Sequence, residues 1–178
     1  MTTIFIYGDK GDAAFKNLII ERLSRTYKII YVFGGIYIEK GSGYELLFVE
    51  MSSPSQILCD SGIVLLKAGA ALPCSIFSNK SIVIANAQNI EQVSSLKNHK
   101  GNVITCGLCK KDTFSCTSNT AESLVISLNR SITALSGRKI EPLEIPVQQE
   151  NCDTYSLIAF TALRAVLDDF NSEIGKLY

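Results

Sequence analysis

The N-terminal segment YGDKGDAAFK has the residue types of a loop that binds phosphate groups. Its glycines, Gly8 and Gly11, lie between an apolar run and an amphipathic run, where a strand would pass into a helix. In a phosphate loop, glycines let main-chain N–H groups wrap the phosphates, a lysine neutralises them, and a hydroxyl holds magnesium. The segment therefore predicts a turn shaped for an anion at the start of the first helix.

Three positions of this loop depart from that chemistry. The residue after Gly11 is Asp12 rather than lysine, and Ala13 and Ala14 stand where hydroxyl residues would be. A carboxylate is stabilised at a helix N-terminus, so Asp12 would cap the helix and fill the place of a phosphate. Lys10 is the nearby cation, displaced by two residues. Two interpretations stay open: a turn capped by its own carboxylate, and a site that binds a nucleotide or another anion without phosphoryl transfer.

A second group of residues has the chemistry of a metal or redox site. Cys106 and Cys109 form a CxxC pair, Cys116 follows them, and His99 precedes them. A zinc site normally has two paired ligand arms, and only one pair is visible here. We therefore expect reduced structural cysteines, with a metal site at Cys106, Cys109 and Cys116 as the alternative.

A third group is charged and lies in the segment NRSITALSGRKIEPLE. It contains Arg130, Arg138, Glu141 and Glu144. Runs of charge usually lie on the surface, so we expect a solvated polar face. A new catalytic site is the alternative interpretation.

Short apolar runs predict the elements that would position these residues. Six runs closed by turn residues read as buried strands: TIFIY, YKIIYVFGG, YELLFVEMSS, SGIVLLKAG, KSIVIANAQ and GNVITCGL. Near-continuous apolar strands are typical of a sheet covered on both faces. Phe15, Leu18, Ile19 and Leu23 have helical spacing, which predicts an amphipathic helix over 13–24. The chain is therefore predicted to be a three-layer α/β fold of the P-loop type, with a mostly parallel sheet flanked by helices.

The pattern changes after residue 110. Partial period-two alternation predicts a small antiparallel β segment near residues 113–147, with Leu124, Ile126 and Leu128 on one face. The Ala-rich and Leu-rich run DTYSLIAFTALRAVLDDF predicts a C-terminal helix with Asp153 as its N-cap.

Composition bounds the class of protein. At 178 residues, 47% hydrophobic and 19% charged, the chain is expected to form one globular domain over 1–178. Its 17 basic residues balance its 17 acidic residues, which gives no electrostatic reason to expect nucleic acid. The longest apolar run, GIVLLKAGAALP, contains a lysine and is too short to span a membrane. No signal peptide is apparent, so we expect a cytoplasmic protein.

The order of these segments resembles the central ATP-binding domain of the Mur ligases, the ATP-dependent amide-forming enzymes of peptidoglycan assembly. The family's loop G-T-x-G-K-[ST]-[ST] corresponds to GDKGDAA here. The family's strand ending in E-x-S-S corresponds to FVEMSS, with Glu50, Ser52 and Ser53 in register, and a later strand and turn match at Asn86. The resemblance extends over almost the whole chain, although each motif by itself is weak.

The resemblance implies roles for particular residues. Glu50 would help to hold magnesium, and the nucleotide or anion would be bordered by Gly8, Lys10, Gly11, Asp12, Ser52 and Asn86. The family's loop lysine, its loop hydroxyls and the Asp-His pair after its fourth strand are absent here. The residues alone also allow Glu50 to be a strand-end carboxylate bonded to nearby main chain, and Ser52 and Ser53 to be turn formers.

These departures favour a non-catalytic Mur-ligase-like protein without a required cofactor. It would act as a binding or regulatory module that binds a protein partner or associates with itself. A link to cell-envelope synthesis follows from the resemblance alone. The alternatives are a weak sensor of nucleotides or other anions at the carboxyl ends of the strands, with ATP as a candidate ligand, and a ligase-related enzyme.

Overall fold

The structure is a computed structural model. It describes residues 1–9, 13–52, 61–70, 80–97, 99–120, 123–148 and 152–169. The chain divides into two compact units, Met1–Val103 and Ile104–Tyr178. The single domain predicted over 1–178 stays a prediction, and the two units are described separately.

The first unit has an α/β architecture. Its elements in chain order are β1 (Thr2–Tyr7), α1 (Ala14–Arg22), a 3₁₀ turn (Leu23–Arg25), β2 (Lys28–Phe33), β3 (Ile36–Lys40), β4 (Glu45–Met51), β5 (Gly62–Leu66), β6 (Ser81–Asn86) and α2 (Ile90–Leu96). The strand order is β6-β5-β1-β4-β2-β3. The first five of these are parallel, and β3 is antiparallel to β2. The carboxyl ends of the parallel strands therefore share one edge.

Both faces of this sheet are buried. Val64, Leu66 and Val83 form a core on one face with partly buried Leu96 of α2 packed against it. The alternate residues of the strands, such as Ile6 and Leu65, are fully buried as well. Burial on both faces explains why the strands read as continuous apolar runs in the sequence.

Helix α1 has the buried stripe that its spacing predicts. Phe15, Leu18, Ile19 and Leu23 are all at most 6% exposed. The helix ends one residue before Leu23, which begins the 3₁₀ turn. The predicted amphipathic helix is therefore confirmed, with its last residues in a tighter turn.

The second unit is richer in antiparallel strands. It takes up β7 (Asn102–Gly107), which begins in the last residues of the first unit, and continues with β8 (Phe114–Asn119), β9 (Ser123–Leu128), β10 (Ile132–Thr133), β11 (Lys139–Ile140), β12 (Leu143–Gln148) and α3 (Thr154–Val166). Its strand order is β12-β9-β8-β7, and β10 pairs with β11 separately. Strand β9 is antiparallel to both of its neighbours, β8 and β12, and β7 is parallel to β8.

The second unit also agrees with the sequence pattern. Leu124, Ile126 and Leu128 are buried as one face of β9. Asp153 is the N-cap of α3, and its carboxylate accepts a hydrogen bond from the Ser156 N–H at 3.0 Å. The predicted fold class, a mostly parallel α/β sheet flanked by helices with an antiparallel segment within 113–147, is confirmed. Two elements, β3 and α2, were not predicted from the sequence.

Candidate functional site

The candidate site lies at the carboxyl edge of the parallel strands in the first unit. Gly8 follows β1, Glu50 lies near the end of β4, and Lys67 follows β5 directly. Because β1 lies between β4 and β5, these three positions are neighbours at this edge. Tyr31 comes from β2, the strand beyond β4.

Glu50 is held by two side chains rather than by main-chain groups. Its Oε1 lies 2.6 Å from Lys67 Nζ, and its Oε2 accepts a hydrogen bond from the Tyr31 hydroxyl. The carboxylate and the ammonium are almost completely buried, with side-chain exposures of 3% and 2%. The Tyr31 ring is also buried and stacks on Phe48, with ring centroids 6.1 Å apart. The three polar ends thus form a buried network in which each oxygen of Glu50 has a donor.

The stem of Lys67 packs along the backbone of Gly8. A Cβ atom added to Gly8 would lie 2.6 Å from Lys67 Cβ and 3.0 Å from its Cγ. Gly8 also has a φ of 150°, a conformation that residues with side chains rarely adopt. Beyond this contact, Lys67 Nζ donates to the main-chain oxygen of Asp9 at 2.7 Å. Position 8 therefore has room only for glycine, because Lys67 from the end of the neighbouring strand β5 packs against it.

The backbone of Lys67 is fixed on both sides. Its N–H donates to Tyr7 O at 2.8 Å, and its carbonyl accepts from Gln92 Nε2 at 2.8 Å. Gln92 is completely buried in α2, and its Oε1 accepts from the Asn86 N–H at 2.8 Å. The amide of Asn89, the N-cap of α2, donates to the Ala68 carbonyl at 3.1 Å. Amide side chains around α2 therefore set the direction in which Lys67 leaves the strand.

A magnesium ion does not fit beside Glu50 in this arrangement. Mg²⁺ requires oxygen ligands at about 2.0–2.1 Å in a nearly octahedral shell. Both oxygens of Glu50 already accept hydrogen bonds, and one of them lies 2.6 Å from the buried ammonium of Lys67. A divalent ion on this carboxylate would have to share the space with that positive charge. The magnesium role that the resemblance implies for Glu50 is not supported by these contacts.

The predicted phosphate loop is only partly described. Lys10, Gly11 and Asp12 lie outside the described residues, so their roles stay predictions. The N-cap of α1 is Ala13, whose methyl side chain cannot accept a cap hydrogen bond. The N–H of Gly8 donates to Met51 O at 3.1 Å, which continues the pairing of β1 with β4.

Two further predicted residues lie close to the same edge. Asn86 ends β6 and shapes the turn that follows, because its Oδ1 accepts from the Gln88 N–H at 3.0 Å. Its Nδ2 lies 3.4 Å from the Ala68 carbonyl. Ser52 follows β4 and is half-buried. The contacts of Asn86 are those of a turn-forming residue.

Two of the three predicted cysteines, Cys106 and Cys116, have raised thiol pKa values. Burial, and then the charge of Asp112, raises the pKa of the Cys106 thiol, which keeps it protonated. Burial also raises the pKa of Cys116, whose Sγ lies 3.4 Å from the Ser118 carbonyl, and Cys109 is exposed. Among the described residues, no three His, Cys, Asp or Glu side chains are grouped to hold a metal ion. For the His99 imidazole, burial has the opposite effect and lowers the pKa.

The charged group does not converge on one point. The guanidinium of Arg138 pairs with Asp168 at the end of α3, and Glu141 pairs with Lys139 at 2.8 Å on the surface. Arg130 donates to the Lys111 carbonyl. These are separate surface contacts of the second unit, as expected for a solvated polar face.

The sequence pattern did not identify Lys67, Tyr31 or Gln92 as site residues. A usable signal was present for Lys67, because it is a lysine at the end of an otherwise apolar run that forms a buried strand. A charge in that position needs a partner at the same edge of the sheet, and Glu50 is the corresponding acid on a nearby strand. Tyr31 and Gln92 carry no comparable signal, because their polar ends meet the site only in three dimensions.

Within the described part of the chain, no helix is both long enough and apolar enough to cross a membrane. No family model matches the chain, and no curated protein matches it.

Solved structures of similar fold include Mur ligases. MurF ligase from Thermotoga maritima, determined in complex with ADP, is 12% identical with a TM-score of 0.54, and the match covers 97% of this chain and 46% of MurF. A murein peptide ligase from Psychrobacter arcticus is 9% identical with a TM-score of 0.55, and the match covers 92% of this chain and 44% of that ligase. A UDP-N-acetylmuramoyl-L-alanyl-D-glutamate–2,6-diaminopimelate ligase is 10% identical with a TM-score of 0.57, and the match covers 96% of this chain and 44% of that ligase. The chain thus spans less than half of the length of these three proteins, and at such identities the likeness is one of fold. The chain has the α/β fold of a Mur ligase domain.

Proposed function

We propose that this protein is a non-catalytic binding or regulatory module on a Mur-ligase-like fold, with a role in cell-envelope synthesis. The observation that carries the proposal is the closed network of Glu50, Lys67 and Tyr31. It lies at the edge of the sheet where open α/β folds bind their ligands. The acid that resembles a magnesium ligand is neutralised there by the protein's own lysine.

The loop supports the same proposal. An acyl-phosphate ligase has to neutralise the phosphates and position a metal ion, a carboxylate and an amine together. In this chain Asp12, Ala13 and Ala14 stand at the positions of the lysine and hydroxyls in the family motif. The N–H of Gly8 is bonded to Met51 O, so this N–H is not free to bind a phosphate. Neither the loop nor the acid is equipped for phosphoryl transfer.

Titration calorimetry and a phosphate-release assay with MgATP test this proposal. We expect no saturable heat with MgATP or MgADP at millimolar concentration and no phosphate release above buffer. MurF from Thermotoga maritima, whose structure contains ADP, is the positive control for the ligand preparation. Saturable binding of MgATP together with its turnover would overturn the proposal.

A weak anion sensor is the second candidate. The observation that favours it is a cation at this edge, since Lys67 Nζ lies 2.7 Å from the main-chain oxygen of Asp9 in the loop. A phosphate would then have to replace Glu50 as the partner of Lys67. Titration with inorganic phosphate and metal-free ADP separates the two candidates, because a sensor would bind them and the non-catalytic module would not.

The proposed binding role needs a surface that a partner could cover. In the first unit, Ile36 and Tyr37 of β3 are 55% and 60% exposed, and Tyr44 nearby is 56% exposed. Exposed apolar groups on an edge strand are a surface that a protein partner or a second copy would cover. Analytical sedimentation of the wild type and of the Ile36→Ser/Tyr37→Ser variant compares their self-association. A clean monomer for both, with no partner recovered by either, would count against the binding role.

A further inference from the structure

We infer that β3 is the surface through which two copies of this chain associate, as antiparallel edge strands related by a two-fold axis at Ile38. The inference deepens the proposed function and rests on its binding role, because it names the partner as a second copy. The pairing needs no ligand.

Strand β3 is the outermost strand of the sheet in the described part of the first unit. It follows β2 at the end of the strand order, and its five residues, Ile36–Lys40, all pair with β2 on the inner side. An edge strand presents main-chain N–H and C=O groups on its outer side, where another strand can bond to them. The outer side of β3 is therefore a template for one more strand.

The fold fixes this edge at both ends. The turn from β2 uses Gly34 and Gly35, both at positive φ. Gly41 follows β3 closely packed, because a Cβ added there would collide with the Tyr27 carbonyl oxygen. A surface that is already ordered loses little conformational entropy on binding.

The two faces of β3 match their own copies when the pairing is antiparallel. Because side chains alternate, Ile36, Ile38 and Lys40 lie on one face of the strand, and Tyr37 and Glu39 lie on the other. A two-fold axis at Ile38 places Ile36 opposite Lys40 of the second copy, and it places Tyr37 opposite Glu39. The same strand thus supplies both sides of every pair, as an isologous interface requires.

Charge selects this register. With the axis at Ile38, all five residues are paired and no like charges lie opposite each other. Placing the axis at Glu39 pairs fewer residues and sets the two Glu39 carboxylates opposite one another, which is destabilising. Placing it at Tyr37 also pairs fewer residues. The register centred on Ile38 is therefore the one that the sequence of β3 favours.

The charge on this edge is compensated within each copy. Lys28 Nζ lies 3.3 Å from Glu39 Oε1, and the Tyr37 hydroxyl donates to Glu39 Oε2 at 2.6 Å. Charged side chains on an edge strand normally block pairing, but this carboxylate already has a cation. On the other face Ile36 is 55% exposed, and the aliphatic stem of Lys40 from the second copy would cover it.

Cysteine cross-linking tests the register. Residues directly opposite in an antiparallel pair have Cα atoms about 4.5–5.5 Å apart, within the range of about 4.4–6.8 Å for a disulfide. A mixture of Ile36→Cys and Lys40→Cys should therefore form a cross-linked dimer under mild oxidation. Each variant alone is the matched control, because its two new cysteines would lie about 13 Å apart along the strands. Peptide mapping by mass spectrometry separates the new disulfide from any formed by native cysteines.

Sedimentation tests the affinity. The edge of a five-residue strand is a small interface, so we expect the wild type to be a reversible dimer at about 100 μM. Tyr37→Glu places a carboxylate opposite Glu39 of the second copy, twice by symmetry, whereas the matched variant Tyr37→Lys places an opposite charge there. The dissociation constant of the Tyr37→Glu dimer should exceed that of the Tyr37→Lys dimer by roughly tenfold.

The results separate a second copy from other occupants of this edge. A dimer that cross-links in the mixture and not in the single variants supports the inference. A wild type that stays monomeric at about 100 μM overturns it, also when a different protein is found on β3. Equal cross-linking in the mixture and the single variants, or equal dissociation constants for the two Tyr37 variants, would overturn it as well. Turnover of MgATP by the dimer would overturn the proposed function and leave the pairing intact, so the two failures are distinguishable.

Discussion

Replacing Gly8 with alanine should destabilise the protein strongly through its contact with Lys67. The new Cβ would lie 2.6, 3.0 and 3.1 Å from Cβ, Cγ and Cδ of Lys67. The first of these distances is far inside van der Waals contact. Lys67 cannot move away easily, because hydrogen bonds at 2.8 Å fix its main chain on both sides.

Two costs add up in this variant. Holding alanine at the φ of 150° found for Gly8 should cost about 1–3 kcal/mol of backbone strain. Forcing an extra methyl group into a packed region typically costs about 1–3 kcal/mol. The expected loss in the free energy of unfolding is therefore about 2–6 kcal/mol, a large part of the 5–15 kcal/mol of a typical domain.

Urea unfolding followed by far-ultraviolet circular dichroism measures this loss. Gly69→Ala is the matched control, because Gly69 lies in the turn after β5 and an added Cβ would meet nothing within 4 Å. That variant should be neutral or stabilised by up to about 1 kcal/mol.

The contact itself is tested by a double-mutant cycle with Lys67→Gly. In that background the steric part of the Gly8→Ala cost should disappear and the backbone strain should remain, which gives a coupling of about 1–3 kcal/mol. The reasoning is refuted if Gly8→Ala stays within about 0.5 kcal/mol of the wild type. It is also refuted if the cost is the same in both backgrounds.

Two further predictions concern polar contacts. Gln92→Leu should lower the free energy of unfolding by about 2–5 kcal/mol, because the buried Lys67 carbonyl and a buried N–H at the end of β6 lose their partner; urea unfolding measures it. At the end of α3, hydrogen bonds from Ser136 and then Arg138 hold the pKa of Asp168 below its ordinary value. A lowered folded-state pKa means that this contribution to stability is present above the unfolded-state pKa of about 3.9 and is lost as the pH falls through the folded-state value. Asp168→Asn should therefore be less stable than the wild type at neutral pH, with the difference shrinking in acid.

Controls for these two predictions come from the same chain. Gln148→Leu, at an exposed position at the end of β12, should be close to neutral, and an equal loss there would show that Gln92 has no special role. For the acid dependence, Glu144→Gln changes an exposed carboxylate and should leave the pH profile unchanged. A parallel offset of Asp168→Asn from the wild type between pH 2 and 7 would contradict the assignment to Asp168.

Six strands could be predicted from the sequence because each contains a short run of apolar residues. The six runs predicted as strands correspond to β1, β2, β4, β5, β6 and β7. Strand β3 was missed because IYIEK is mostly exposed and the pair Gly34 and Gly35 was taken as the end of β2. Both glycines have positive φ, 53° and 84°, as in a tight hairpin turn that returns the chain.

Helix α2 was missed for a related reason. It has only seven residues, and Ile90 and Val93 are exposed, so it lacks a clear buried stripe. Its stability comes from Asn89, which caps it, and from Gln92, whose amide is bonded beneath it to the turn after β5. The cap by Asn89 is local, whereas the bond of the Gln92 amide depends on a turn more than twenty residues earlier in the chain.

The sequence by itself determined the fold class, the placement of Gly8 and Glu50 at the ends of two strands, and the loss of the loop's lysine and hydroxyls. Those properties are local, since they depend on residue type and on spacing along one element. Only the tertiary structure decided what Gly8 and Glu50 do. Because the strand order places β5 and β4 on either side of β1, Lys67 passes over the glycine and its charge meets the carboxylate. A lysine that no local pattern assigns to this edge thereby neutralises the buried carboxylate of Glu50.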